Sequence, residues 1–202
     1  LEPSAAKVMR VSAVVGFVAL ALGFVLALVI GQGLRHFYFS YLTNYLYFLS
    51  ISLGSLFFVA IQHATRAGWS VTVRRIHEDL APKVTLLILL FLPVLVTVLS
   101  GSASIYPWAN PEVVAESSLV AHKTPYQNVP FFVIRCVIYF TVWWYLGRFF
   151  LVRSLRQDRS GDPALTLSME RLSYPGLILC AVTVTFAAFD FAMSLEPEWF
   201  ST

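Results

Sequence analysis

The sequence predicts an all-α integral membrane protein with about five transmembrane helices. Hydrophobic residues make up 58% of the 202 positions and charged residues only 12%, and the mean hydropathy is +0.74. A water-soluble domain of this size needs a much more polar surface. The apolar residues also fall into stretches close to the ~20 residues with which a helix crosses ~30 Å of hydrocarbon. These predicted spans cover residues 11–30, 42–64, 84–101, 131–151 and 172–195.

Helices suit these stretches better than transmembrane strands do. Strands of a membrane barrel alternate apolar and polar residues, whereas residues 14–30 are apolar on every face except at the glycines. Lys7 and Arg10 precede the first stretch as in a secretory signal, but its length and the lack of a small-residue cleavage pattern after it favour a retained helix. We therefore treat residues 1–202 as a single transmembrane helical domain.

The distribution of cations predicts a cytoplasmic amino terminus, because cytoplasmic loops retain Lys and Arg. In that orientation only Arg35 and Lys123 would face out, and Arg135 would lie in the membrane. The inner side would carry Lys7, Arg10, Arg66, Arg74, Arg75, Lys83, Arg148, Arg153, Arg156, Arg159 and Arg171. The net charge of +3 is therefore a sign of topology and does not indicate a nucleic-acid partner.

Asp190 is the only one of the 11 acidic residues inside a predicted span. An ionisable group in hydrocarbon is a candidate functional residue, because its burial is costly. Arg135 lies below the outer end of the fourth span at a depth similar to that of Asp190 in the fifth. The sequence therefore predicts an ion pair between Arg135 and Asp190. This pair could be a structural clamp or part of a proton relay, and the spacing does not separate these roles.

His63 closes the second span on the inner side. It is a candidate for exchanging protons with the cytoplasm, since histidine titrates near physiological pH. A histidine that only hydrogen-bonds a loop carbonyl is the simpler interpretation. The inner segment that follows, residues 66–83, is predicted to lie at the interface. Its cations could pair with Glu78 and Asp79 or with anionic lipid head groups.

The sequence offers little to hold a cofactor or a metal. The haem attachment pattern Cys-x-x-Cys-His is absent, and the four histidines include no convincing pair of axial ligands. Two cysteines are too few for an iron-sulfur cluster, and no glycine-rich phosphate loop occurs. We expect this chain to bind no cofactor and no metal, and we predict no catalytic residue.

Three blocks of the sequence resemble the F subunit of alternative complex III (ActF). The first covers the second span and its inner exit, the second leads into the fourth span, and the third follows the fifth. They are Ile51-Ser52-Leu53-Gly54-Ser55-Leu56-Phe57-Phe58 through His63 to Trp69-Ser70-Val71 and Arg74-Arg75; His122-Lys123-x-x-Tyr126-x-Asn128-x-Pro130-Phe131-Phe132 to Arg135; and Phe189-Asp190-x-x-Met193-Ser194-Leu195-Glu196-Pro197-x-Trp199-Phe200-Ser201-Thr202.

The resemblance implies a fold and a setting. The F subunit is similar to the membrane subunits of polysulfide reductase and the NrfD family, so this chain would be the amino-terminal half of a ten-helix NrfD-like subunit and incomplete at its carboxy terminus. It would be a non-catalytic, multi-pass subunit in a bacterial inner membrane. The complex would oxidise quinol and reduce cytochrome c or another periplasmic acceptor in a respiratory or photosynthetic chain. Quinol, haem c and iron-sulfur clusters would be bound elsewhere. The C subunit would be its membrane neighbour and would oxidise the quinol, while this subunit would conduct protons or couple conformationally.

The resemblance also suggests roles for single residues. His63 would admit protons from the inside, Asp190 would relay them in the outer half, and Arg135 would tune Asp190. The outward loop, residues 102–130, would face the periplasmic subunits or would simply cap the helices; its docking candidates are Trp108, His122 and Tyr126. The alternatives are a scaffold without proton chemistry, and a fragment of a secondary transporter, for which a helix broken at Pro93 would be the sign.

Overall fold

A computed structural model of the protein describes residues 3–29, 33–101 and 105–198. These residues form helices and turns, with no strand among them. The helices are α1 (Pro3–Val29), α2 (Gly33–Ala64), α3 (Val71–Leu80), α4 (Val84–Ser100), α5 (Pro111–Glu116), α6 (Ser118–Lys123), α7 (Val129–Ser160) and α8 (Pro163–Phe191). Short 3₁₀ turns lie at Ala81–Lys83, Pro107–Ala109 and Met193–Leu195.

Five helical segments are long and apolar enough to cross a membrane: Ser4–Val29, Gly33–Ala64, Val71–Ser100, Val129–Ser160 and Pro163–Leu195. The prediction of an all-helical chain with five candidate spans is thus confirmed, and it indicates a multi-pass membrane protein. The helices run beyond the predicted apolar stretches because polar residues continue their ends. Helix α7 continues to Ser160 and ends where Gly161 adopts a φ of 64°. The cytoplasmic position of the amino terminus stays a prediction.

The chain divides into two compact units, residues 1–43 and 44–202. The first unit contains α1 and the beginning of α2, and in it Phe24 meets Phe37 edge to face with ring centroids 5.5 Å apart. The second unit contains the rest of α2 and helices α3 to α8. Its core forms where α7 packs against α8 and α4, and Trp143, Phe132 and Phe191 are among its largest buried side chains. Every site described below lies in the second unit.

Helix α7 approaches the turn between α3 and α4 closely at Gly147. A Cβ at this position would lie 3.2 Å from Pro82 Cα and 3.3 Å from the carbonyl carbon of Ala81. The Ser52 hydroxyl of α2 donates to the Ala81 carbonyl of the same turn at 2.9 Å. The start of α4 is therefore fixed between α2 and α7.

The connection from α4 to α7 is ordered by side-chain caps and buried aromatics. Asn110 and Asn128 each accept a backbone hydrogen bond, from Glu112 and Phe131 respectively, at 3.0 Å. The buried Tyr106 hydroxyl donates to the Phe191 carbonyl at 3.1 Å. Burial raises the pKa of the Tyr106 phenol, so it remains a neutral donor. Residues 105–128 are therefore attached to the end of α8, whereas residues 102–104 of the predicted loop lie outside the described residues.

The prolines inside the long helices do not interrupt them. Helix α4 continues from Val84 to Ser100 through Pro93, and α8 continues through Pro175. The break at Pro93 that would favour a transporter fragment is therefore not present in α4.

Candidate functional site

Arg135 and Asp190 form an ion pair where α7 begins and α8 ends. Arg135 Nε donates to Asp190 Oδ2 at 2.7 Å, and Arg135 Nη2 donates to Asp190 Oδ1 at 2.8 Å. The Asp190 side chain is only 2% exposed. Two parallel hydrogen bonds to one carboxylate are the strongest geometry available to arginine. The ion pair predicted from the sequence is therefore confirmed.

The surroundings of this pair satisfy nearly all of its polar atoms. The Tyr139 hydroxyl donates to Asp190 Oδ2 at 2.8 Å, and Arg135 Nη1 donates to the Tyr126 carbonyl at 2.9 Å. The guanidinium lies over the rings of Tyr126 and Phe131, with its central carbon 3.9 and 4.4 Å from their centroids. Asp190 thus accepts three side-chain hydrogen bonds. A carboxylate held in this way joins α7 to α8 rigidly.

A second buried carboxylate, Glu78 of α3, lies at the other end of α7. Its Oε2 accepts a hydrogen bond from Ser154 at 2.6 Å and lies 3.0 Å from Arg75 Nη1. Its Oε1 lies 3.3 Å from Arg74 Nε and 3.7 Å from His63 Nε2. We call these five residues, His63, Arg74, Arg75, Glu78 and Ser154, the inner cluster.

The contact between His63 and Glu78 is incomplete as a hydrogen bond. Both His63 Nε2 and Glu78 Oε1 are buried and make no hydrogen bond within the described residues. The His63 ring stacks on Phe150 with centroids 5.4 Å apart and an interplanar angle of 5°. Phe150 therefore holds the imidazole plane while the nitrogen faces the carboxylate. The distance of 3.7 Å between the two atoms is longer than a hydrogen bond.

The inner cluster continues toward the surface through an exposed ion pair. Arg75 Nη2 contacts Asp158 Oδ2 of α7, and the Asp158 side chain is 54% exposed. Arg75 therefore lies between a buried carboxylate and an exposed one. This arrangement links α3 to α7 through one arginine.

A third carboxylate, Glu170 of α8, pairs with Arg66 at the same end of the bundle. Arg66 donates from Nε to Glu170 Oε2 at 3.0 Å, and Arg66 Nη2 lies 2.9 Å from Oε1. The hydrogen bond to Glu170 raises the pKa of the Arg66 guanidinium. The Tyr174 hydroxyl donates to the same carboxylate at 3.0 Å. Because Arg66 is exposed, this pair is a surface link between the end of α2 and α8.

The structure does not bring the three predicted proton-path residues together. Arg135 and Asp190 share one site, whereas His63 belongs to the inner cluster. The positions of Phe150, which stacks on His63, and Arg135 on α7 imply a separation of about 22 Å at ~1.5 Å per residue. Between them the Trp143 Nε1 donates to Thr183 Oγ1 at 2.9 Å. Their roles in proton movement stay predictions.

The docking candidates differ in their exposure. Trp108 is 4% exposed and packs on Phe132 with ring centroids 5.2 Å apart. Trp108 packs the α4–α7 connection against α7, and it therefore offers little surface to a partner. His122 is exposed, and Tyr126 is partly exposed above Arg135. Docking through these two residues stays a prediction.

The apolar stretches of the sequence do not predict the burial of Glu78 and Glu170. Among the acidic residues the predicted stretches contain only Asp190, because they end before the helices do. The spacing of Arg74 and Arg75 to Glu78, four and three residues along one helix, was the available signal for local pairing. The sequence predicts pairing with Glu78 and Asp79 as one alternative. Pairing with Glu78 is confirmed, whereas Asp79 forms no ion pair among the described residues. The spacing of these residues does not indicate that α3 directs Glu78 into the protein.

Two apolar grooves also run along the helices. One, of about 450 Å³, lies between α2 and α8, and the other, of about 560 Å³, lies between α4 and α7. In the first groove the hydroxyls of Ser50 and Thr185 both donate to carbonyls of their own helices, Tyr47 and Ala181. These grooves therefore present apolar surface to the membrane.

No protein-family model matches this chain, and no curated protein matches it.

Proposed function

We propose that this chain is a membrane subunit of a quinol:electron-acceptor oxidoreductase of the alternative complex III type. Three sequence blocks that resemble its F subunit support this proposal, as do the five helices able to cross a membrane. In this proposal the chain is a non-catalytic subunit of a bacterial inner membrane. It neighbours a C subunit and periplasmic subunits that carry haem c and iron-sulfur clusters, and another subunit oxidises the quinol.

Within that complex, we assign proton exchange to the inner cluster. The observation that carries the assignment is the facing pair of buried atoms, His63 Nε2 and Glu78 Oε1, 3.7 Å apart and without a hydrogen bond within the described residues. Arg74 and Arg75 also pair with Glu78 and favour its carboxylate form, so in this proposal His63 carries the proton and Glu78 is the acceptor that faces it. Arg75 keeps its proton and cannot relay one, so water molecules beside Arg75 and Asp158 would have to complete the path to the exposed side. This supports His63 as the inner access point and adds Glu78 as its partner.

The route from the inner cluster to Asp190 requires intermediate groups. The hydroxyls of Tyr139 and Thr183 lie on facing helices between the two sites, and Tyr139 already donates to Asp190. Water molecules would have to complete a path of about 22 Å at ~1.5 Å per residue along α7. In this proposal Arg135 holds Asp190 at the outer end of the path.

A scaffold role is the second candidate, and one observation favours it. Arg135 occupies both oxygens of Asp190, so a proton can reach this carboxylate only if a strong ion pair opens. In a scaffold, the pair would hold α7 and α8 in place for the partner subunits, and no proton would cross this chain.

The test uses the assembled complex in sealed vesicles, with quinol oxidation and proton movement measured together. The variants are Glu78→Gln and His63→Gln at the inner cluster and Asp190→Asn at the outer pair. Glu170→Gln is the matched control, because it neutralises another carboxylate at the same end as Glu78. Assembly of each complex is checked before the assay.

We expect Glu78→Gln and His63→Gln to keep electron transfer and to lose proton movement, while Glu170→Gln keeps both. Full proton movement in an intact Glu78→Gln complex would contradict proton exchange at the inner cluster. The scaffold role would then be the remaining proposal. Failure of Asp190→Asn to assemble would assign that residue to the clamp between α7 and α8. Absence of quinol oxidation from any complex containing this chain would contradict the family proposal itself.

A further inference from the structure

A cationic groove lies between the last turns of α7 and the first turns of α8. Its volume is about 440 Å³. Arg153 borders it, because its Nε donates to Ser168 at 3.0 Å and its guanidinium lies 3.5 Å above the Phe149 ring. The groove is lined by Phe149, Ala164, Leu167, Ser168, Arg171 and Leu172. We call this region the α7–α8 groove.

Neither cation of the α7–α8 groove, Arg153 or Arg171, lies within ion-pair distance of a carboxylate among the described residues. Arg171 is exposed and forms no hydrogen bond or ion pair with any described residue. The neighbouring carboxylate of Glu170 is already held by Arg66 and Tyr174. Asp162, at the start of α8, caps the backbone N–H of Ala164 at 2.9 Å.

Arg153 also retains unused donors. Its Nε is bonded to Ser168 and its face covers Phe149, whereas its Nη atoms have no partner among residues 3–29, 33–101 and 105–198. A guanidinium fixed in this way presents its remaining N–H groups in a set direction. Carboxylate and phosphate oxygens are the ligands that match such a fork.

The groove lies at the depth of lipid head groups. Arg171 and Asp190 are on the same helix, about 28 Å apart at ~1.5 Å per residue. This separation is close to the ~30 Å thickness of the hydrocarbon layer. If Asp190 is near one boundary, Arg171 is near the other. Leu167 and Leu172 then offer apolar surface beside a cationic rim, which suits a molecule with a charged head and acyl chains.

We propose that the α7–α8 groove binds one anionic glycerophospholipid, with its phosphate between Arg153 and Arg171 and an acyl chain along Leu167 and Leu172. Charge complementarity selects this occupant, because both cations border one groove and neither forms an ion pair with a described carboxylate. A zwitterionic lipid would bring a compensating cation to the same place. This inference does not depend on the proposed function, since it needs only a membrane around the helices.

The test is native mass spectrometry of the full protein in detergent with added phosphatidylglycerol or phosphatidylcholine. We expect the wild-type protein to bind phosphatidylglycerol at least about fivefold more tightly than phosphatidylcholine. Arg171→Gln should abolish about that much of the preference. The double variant Arg153→Gln/Arg171→Gln should bind both lipids equally. Arg159→Gln is the matched control, because it removes a cation from α7 about 120° around the helix from Arg153, and it should change the affinity by less than about twofold.

Equal affinity of the wild-type protein for the two lipids would overturn the proposal, as would a full preference for phosphatidylglycerol in the double variant. Millimolar inorganic phosphate separates the two sources of a phosphate group. If it displaces phosphatidylglycerol, the site recognises free phosphate and the lipid proposal is wrong. If Arg153→Gln destabilises the fold through Ser168, the exposed single change Arg171→Gln and the wild-type selectivity still decide the question.

Discussion

Arg135 and Asp190 join α7 to α8 through two parallel hydrogen bonds of 2.7 and 2.8 Å. The same guanidinium donates to the Tyr126 carbonyl at 2.9 Å, so the pair also fixes the connection that precedes α7. One arginine therefore connects three parts of the chain. In hydrocarbon no water can replace a lost partner, and each side of the pair depends on the other.

Asp190→Asn should lower the free energy of unfolding by about 3 to 5 kcal/mol, because Arg135 is then left buried with an unpaired charge. The measurement is equilibrium unfolding in mixed detergent micelles. The double variant Arg135→Met/Asp190→Leu should cost less than Asp190→Asn alone, since it leaves no buried charge.

Asp158→Asn is the control for this prediction. It removes an acidic partner of an arginine at an exposed position, and it should cost less than about 1 kcal/mol. If Asp190→Asn costs no more than Asp158→Asn, the buried pair is not a clamp.

Gly147→Ala should destabilise the protein by about 1 to 3 kcal/mol, the usual cost of overpacking. The added Cβ would lie 3.2 Å from Pro82 Cα and N, which are backbone atoms that cannot turn aside. Gly54→Ala is the matched control, because no heavy atom lies within 4 Å of a Cβ at that position. It should stabilise α2 by up to about 1 kcal/mol through helix propensity. Thermal unfolding of both variants in detergent checks the difference, and equal melting temperatures would contradict it.

The five spans and the Arg135–Asp190 pair could be predicted from the sequence, for related reasons. The thickness of the bilayer sets the length of each span. Two opposite charges at one depth on neighbouring antiparallel helices are expected to form an ion pair. Both arguments need only positions along the chain. They do not require knowledge of how α3 packs.

The inner cluster could not be predicted, because α3 exposes its apolar face and buries a charged residue. A helix on the surface of a soluble protein does the reverse. Its apolar side chains face out, with Ile76 59% exposed, while Glu78 is buried. A membrane solvates the apolar face, so the polar face can turn inward and meet His63 and Ser154. The low exposure of Trp108 could not be predicted for a related reason: the position of an aromatic residue in a loop does not indicate that it packs against Phe132.

Arg66→Gly should be more stable than Arg66→Ala by about 1 kcal/mol. Arg66 has a φ of 52°, in the left-handed region that favours glycine. Both variants lose the ion pair with Glu170 equally, so their difference reports the backbone alone. The same comparison at Arg156, within α7, should have the opposite sign, because glycine weakens a helix interior. Unfolding free energies for the four variants give the answer, and an Arg66→Gly protein no more stable than the Arg66→Ala protein would contradict the backbone argument.

Thr183→Val should cost about 1 kcal/mol, within the range for hydrogen bonds between membrane helices. Trp143 is fully buried, and its Nε1 donates to Thr183 Oγ1 at 2.9 Å across the α7–α8 interface. Valine has the same shape but no acceptor, so it would leave the indole N–H unpaired in an apolar core. Thr185→Val is the matched control, because that exposed hydroxyl only donates to the Ala181 carbonyl of its own helix. Unfolding in mixed micelles, followed by tryptophan fluorescence, should therefore separate the two variants. If they unfold alike, the hydrogen bond between Trp143 and Thr183 does not stabilise the packing of α7 on α8.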